Sequence, residues 1–197
     1  MIYDALDFLR RRLDAYITGA RSAAEPVMVL SNPWTSNDNN KNFSFLNSLS
    51  LIQVEEDRVF KTQLPIMEKQ KDGHYIKRVP DLKINLYILI SAYNKKYEDA
   101  LKLISKVVAY FQVNTLFEHK KPEAKDEIAL PEFIDKLIVE LYTPGFEQQN
   151  QIWASLSTGY LPSVIYKVRM LLIDVPAEKQ ETVPAIKETN IKLTEYH

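Results

Sequence analysis

The residues of this chain whose types could do chemistry are three histidines, one acidic run and two groups of basic residues. His74 follows an Asp-Gly turn, His119 lies in a charged loop and His197 ends the chain. None stands at i, i+4 from another histidine or inside a compact Asp/Glu cluster, so neither a helical metal site nor an acid–base pair can be written from them. They read as solvated surface histidines. Glu55, Glu56 and Asp57 offer adjacent carboxylates to a hard cation, but a run at the end of a strand reads first as a solvated turn. Arg10–Arg12 sit on an otherwise acidic helix, which makes them a solvated face rather than a phosphate site. With four glycines in 197 residues, none of the patterns G-x-G-x-x-G, G-x-x-x-x-G-K-[ST] or G-x-S-x-G occurs. Cysteine is absent, which excludes a thiol nucleophile, a disulfide framework and a thiolate metal site. No catalytic residue, metal ligand or cofactor is predicted; an enzyme built on Glu55–Asp57 and a divalent ion ranks behind the binding readings.

A more informative constellation is Lys167, Arg169 and Glu140. The stretch LPSVIYKVRMLLIDV alternates, with Val164, Tyr166, Val168, Met170 and Leu172 on one side and Ile165, Lys167, Arg169, Leu171 and Ile173 on the other. KLIVELYTP alternates as well, with Glu140 on its mixed side. If the two strands pair, opposite charges meet on one sheet face. That is either a solvent-facing ion pair, worth about 0–1 kcal/mol, or a surface that a partner subunit covers. Trp34, in the Asn-rich loop 34–45, is either an anchor folded back on the core or a partner contact. Trp153, Tyr160 and Pro162 are expected to fix a helix-to-strand corner.

These positions need elements to hold them. Ile2, Leu6, Leu9, Leu13 and Tyr16 recur at helical spacing, and Gly19 is the expected stop. Residues 27–32 are β-branched enough for a strand. In residues 50–64, Leu51, Gln53 and Glu55 alternate against Ile52, Val54 and Glu56, with a reversal or bend at 55–58. Residues 69–80 contain the Asp-Gly turn dipeptide. In residues 84–92, Ile84, Leu86, Ile88 and Ile90 face one way and Asn85, Tyr87, Leu89 and Ser91 the other, which suits an interior strand covered fully on one side and partly on the other. Tyr97, Leu101, Ile104, Val108 and Phe111 mark a helix over 97–112, and 117–127 is a charged surface loop. A short helix runs through Phe146, Gln149, Trp153 and Leu156 and ends at Gly159. The later half therefore reads strand, helix, strand, helix, strand. The fold class is α/β (α+β), a mixed sheet with helices packed mainly on one face. Residues 1–176 form the domain, and 177–197 a polar tail or arm in which NIKLTEY is a candidate strand.

The formal charge is −1, which argues against a nucleic-acid partner. The longest apolar run falls well short of the ~20 residues that span a bilayer. The opening residues carry acids and arginines in place of a secretory apolar core. A cytoplasmic protein without a membrane partner is expected.

The segments above resemble a known family. INLY at 84–87, YEDAL at 97–101, YFQ at 110–112, Trp153, YLPS at 160–163 and YKVRM at 166–170 follow the order and spacing of the tail-terminator, or cap, proteins of phage-tail-like contractile injection systems of the antifeeding-prophage type. Gly159 is kept before YLPS, but Ser157 and Thr158 depart from the family pattern, and the 33–48 loop is richer in Asn. Some members extend into a second domain. The resemblance implies a tail-terminator-like fold and a structural protein, which forms a sixfold ring at the distal end of inner tube and sheath and stops their polymerisation. Its implied partners are the tube and sheath proteins and further copies of itself. An adaptor or assembly chaperone that binds tube or sheath subunits transiently is the alternative.

Overall fold

The computed structural model describes residues 1–19, 26–33, 46–57, 66–69, 75–78, 83–94, 96–118, 128–172 and 182–183. The amphipathic N-terminal segment forms α1 (Ile2–Thr18), closed by Gly19 in the left-handed conformation (φ 67°) that glycine adopts without a Cβ penalty. β1 (Met28–Leu30) and β2 (Leu46–Glu56) follow. A hairpin of β3 (Ile66–Lys69) and β4 (Tyr75–Arg78) flanks the Asp-Gly dipeptide. β5 (Lys83–Tyr93), α2 (Tyr97–Val113), β6 (Leu116–Glu118), β7 (Ile134–Tyr142), α3 (Phe146–Ser155) and β8 (Ser163–Leu172) make up the rest of the main body. β9 (Thr182–Val183) lies within the stretch read as a tail and pairs antiparallel with β4.

Six strands form one sheet in the order β1-β2-β5-β8-β7-β6, and β3, β4 and β9 form a second, small sheet. The large sheet is mixed as expected: β1 runs parallel to β2, and its other pairings are antiparallel. β8 is inserted between β5 and β7, which are themselves linked through α2, the split βαβ arrangement.

The alternation in the strands separates two environments. Leu86, Ile88 and Ile90 of β5, Leu137 and Val139 of β7, and Tyr166, Val168 and Met170 of β8 meet Leu6, Phe8, Leu9 and Leu13 of α1 and Val107, Tyr110 and Phe111 of α2 in one buried cluster. Burial of this kind contributes roughly 1.5–3 kcal/mol per large aliphatic side chain. The other face carries a small second core in which Leu89, Ile165 and Trp153 are joined by Ile52, Tyr142 and Leu156. Among the described helices, α1 and α2 thus cover one face, and α3 covers one end of the opposite face.

Asp14, a charged residue of α1, is buried. Its Oδ1 accepts the backbone N–H groups of Val27 (3.0 Å) and Met28 (2.9 Å), which ties the start of β1 to the helix. Phe146, expected on the apolar stripe of α3, is 93% exposed, and Trp153 alone is buried along that helix. The helix stops before Gly159: the left-handed position is Ser157 (φ 54°), because the chain must turn as soon as Trp153 and Leu156 are seated.

A candidate assembly interface

β2, β5, β8 and β7 lie side by side, so register decides which side chains share the face that α1 and α2 leave open. Cross-strand partners on that face are Gln53 with Tyr87, Glu55 with Asn85, Tyr87 with Lys167, and Lys167 with Glu140. Glu55 belongs to this set only because β2 carries a bulge. Leu51 pairs with Ile88 on the helix-covered face, Ile52 is left over, and Gln53 pairs with Tyr87 on the open one. The extra residue reverses the alternation, so Leu51 does not share a face with Gln53 and Glu55 as the sequence pattern suggested.

Glu55 is the hub. Its Oε2 accepts from Tyr87 Oη (2.9 Å), Lys167 Nζ (3.3 Å) and Asn85 Nδ2 (3.4 Å). The Tyr87 hydroxyl, and then Lys167, hold its carboxyl below the usual glutamate value. Lys167 also lies 5.3 Å from the centre of the Tyr87 ring. Desolvation works to lower its pKa, but Tyr87 and Glu55 outweigh that and leave it raised. Tyr87 in turn meets Tyr142 edge to face at 5.1 Å.

The predicted charge encounter between β7 and β8 is made by Arg169. Glu140 sits directly across from Lys167, yet its Oε2 bonds Arg169 Nη2 diagonally at 2.9 Å, while Lys167 reaches across β5 to Glu55. Both members of the Arg169–Glu140 pair are nearly half exposed, at 46% and 45%. Toward α3 the charged surface gives way to a groove of about 460 Å³ lined by Tyr87, Tyr142, Gln53, Gln148, Gln151 and Ile165, among others. The face therefore runs from ion pairs through tyrosines and amides to the apolar seat of α3, the mixture typical of a covered protein surface.

Trp153 and Tyr160 meet edge to face at 5.5 Å, with Trp153 buried and Tyr160 63% exposed. Pro162 precedes β8 and its carbonyl accepts the Ala92 N–H at 2.9 Å. Trp34, the three histidines and NIKLTEY lie outside the described residues. Among the described residues no group of three or more His, Cys, Asp or Glu converges as a metal site, and no helix is long and apolar enough to cross a membrane. Glu55 and Tyr87 are the contributors that sequence reasoning missed. The signal was present in the acidic run, but its pairing depended on a bulge that alternation does not reveal.

Among solved structures, the chain is similar to the sheath/tube terminator of an extracellular contractile injection system, PVC, in its extended state, with TM-score 0.61 and 15% identity. It is also similar to the tube-terminating cap of the anti-feeding prophage, with TM-score 0.60 and 16% identity. These matches cover 100% and 98% of this chain but 65% and 62% of those chains, so it spans under two thirds of either. No curated protein sequence matches it. Residues 5–187 match the family described as the Pvc16 N-terminal domain, and the chain belongs to that family.

Proposed function

We propose that this chain is a structural, non-enzymatic cap of a contractile injection particle, which assembles with copies of itself into a ring and ends the growth of tube and sheath. The observation that carries this reading is the likeness of fold, over essentially the whole chain, to two proteins that terminate such tubes. The open face supports it physically. A closed ring of identical subunits needs a patch on each copy that meets a different patch on the next, and Lys167, Arg169, Glu140, Glu55 and Tyr87 form a preorganised polar surface of the right kind. Arg169 and Glu140 are nearly half exposed, so a partner on this face would meet them. Trp153, Tyr160 and Pro162 hold the corner that fixes β8 and hence the register of this face.

The test is charge reversal. Arg169→Glu should leave the monomer folded, since an exposed pair contributes only about 0–1 kcal/mol, and should abolish assembly seen by gel filtration and electron microscopy. The double variant with Glu140→Arg restores the intramolecular pair but not the surface a partner reads. Assembly that stays lost in the double variant supports the interface, and assembly that returns with the restored pair overturns it.

A further inference from the structure

α2 carries more apolar surface than the sheet beneath it covers. Ala100, Leu103, Val107, Tyr110 and Phe111 make its buried side. Tyr97, Leu101, Ile104 and Val108 recur at i, i+4, i+7 and i+11, which sets a second stripe directly beside the first. Tyr97 is 65% exposed, Leu101 44% and Val108 36%, with Ile104 partly buried between them. At 3.6 residues per turn the two stripes together span roughly 180° of the helix. A helix seated on one surface needs an apolar stripe of only about 100°. On the other side of the sheet lies the groove at the seat of α3, of about 460 Å³. Ile52, Tyr142, Ile152 and Ile165 line it together with the amides of Gln148 and Gln151, and none of its described lining residues is ionised.

We infer that the exposed stripe of α2 on one copy lies in the groove beside α3 on the next copy. The inference rests on the ring reading above, and it names the second of the two unlike patches that a closed head-to-tail contact requires. Stripe and groove face opposite sides of the sheet, as two such patches must if each copy is to hold a neighbour on either side. Their composition matches the anatomy of protein interfaces, whose centres lose charged residues and keep aromatic and aliphatic ones while ions stay at the rim. The stripe and the groove are both uncharged, and Ser105 and Gln112, which border the stripe away from the sheet, are uncharged as well. The Lys167–Glu55 and Arg169–Glu140 pairs stand next to the groove and form the rim. The contact is a helix laid by its apolar face into a groove, read through anchors at i, i+4, i+7 and i+11. Two α2 helices packed on each other would bury the same stripe, but that contact is isologous and ends at a pair.

The chain has no cysteine, so a double variant with Leu101→Cys and Gln151→Cys carries thiols at two chosen positions. Both positions are exposed, so the fold should tolerate them. They lie on opposite sides of the sheet, and a short bis-maleimide therefore joins them only between copies. Injection particles assembled with the double variant are treated with this reagent, and the linked peptides are identified by mass spectrometry. We expect links from position 101 to position 151 in several-fold excess over 101–101 and 151–151 links, and a ladder of multimers on a denaturing gel. Predominant 101–101 links, or particles that contain the chain but yield no 101–151 link, would overturn the assignment and leave the terminator reading standing. Absence of the unsubstituted chain from the particles would overturn both. Leu101→Lys decides independently: its incorporation should fall at least several-fold, and incorporation equal to that of the unsubstituted chain would overturn the assignment.

Discussion

Glu55 carries three hydrogen bonds on one oxygen, and this fixes where its charge is held. Because Tyr87 and Lys167 keep the folded-state pKa below the ordinary value, the cluster contributes stability that is in place above the unfolded carboxylate value. That contribution is lost as pH falls through the folded value, so acidification loosens the face and mild alkali does not. Tyr87→Phe removes the largest contributor while keeping the ring beside Tyr142. Glu55 should then titrate at a higher pH in a carbon-detected NMR titration, and an unmoved midpoint would show that the hydroxyl is not what holds the carboxylate. Lys167, Arg169 and Glu140 were legible in the sequence because alternation places them beside apolar neighbours. Which carboxylate each cation takes was not legible, since that depends on the leftover Ile52 and on the reach of Lys167 across a strand.

At the scale of elements, α1 and β1 are joined by apolar packing around the fully buried Met28 and by one buried carboxylate. Asp14 is drawn two ways: desolvation raises its pKa, and the Met28 N–H, Arg10 and the Val27 N–H oppose that rise without cancelling it. A raised value means that its stabilising contribution is greatest below the unfolded pKa and falls as pH rises through the folded one. Asp14→Asn keeps an acceptor on the same atom, so it should change stability by less than about 1 kcal/mol and flatten that part of the pH profile. Asp14→Ala orphans two buried donors and should cost roughly 1–3 kcal/mol. Urea denaturation of the two variants checks this, and equal losses would contradict the capping role. Helical period placed α1, α2 and α3 in the sequence. It gave no hint that Asp14 turns inward, because a polar residue beside arginines reads as solvated until its partners thirteen and fourteen positions later are known. Phe146 failed in the opposite sense: an apolar residue at helical spacing counted as core, but it sits on the first turn of α3, beyond the reach of Leu89 and Ile165.

For the whole molecule, the strand–helix–strand rhythm of the later half was enough to predict a mixed sheet with helices mainly on one face, because β5, β7 and β8 alternate strongly and helical spacing marks α2 and α3 between them. The stripe read for α2 was displaced, since Tyr97, Leu101 and Val108 are exposed and Ala100, Leu103, Val107 and Tyr110 are buried. Strand order was not available from the same signal. The insertion of β8 between β5 and β7 follows from long-range pairing, as does the separate β3-β4-β9 sheet. This architecture leaves the charged face on the side of the sheet that α1 and α2 do not cover. The most direct test of the terminator role is electron microscopy of injection particles from a strain lacking the gene, with the lengths of tube and sheath recorded for each particle. We expect overlong, frayed or missing particles, restored by the full-length protein. Particles of normal length and stability in its absence would contradict the role.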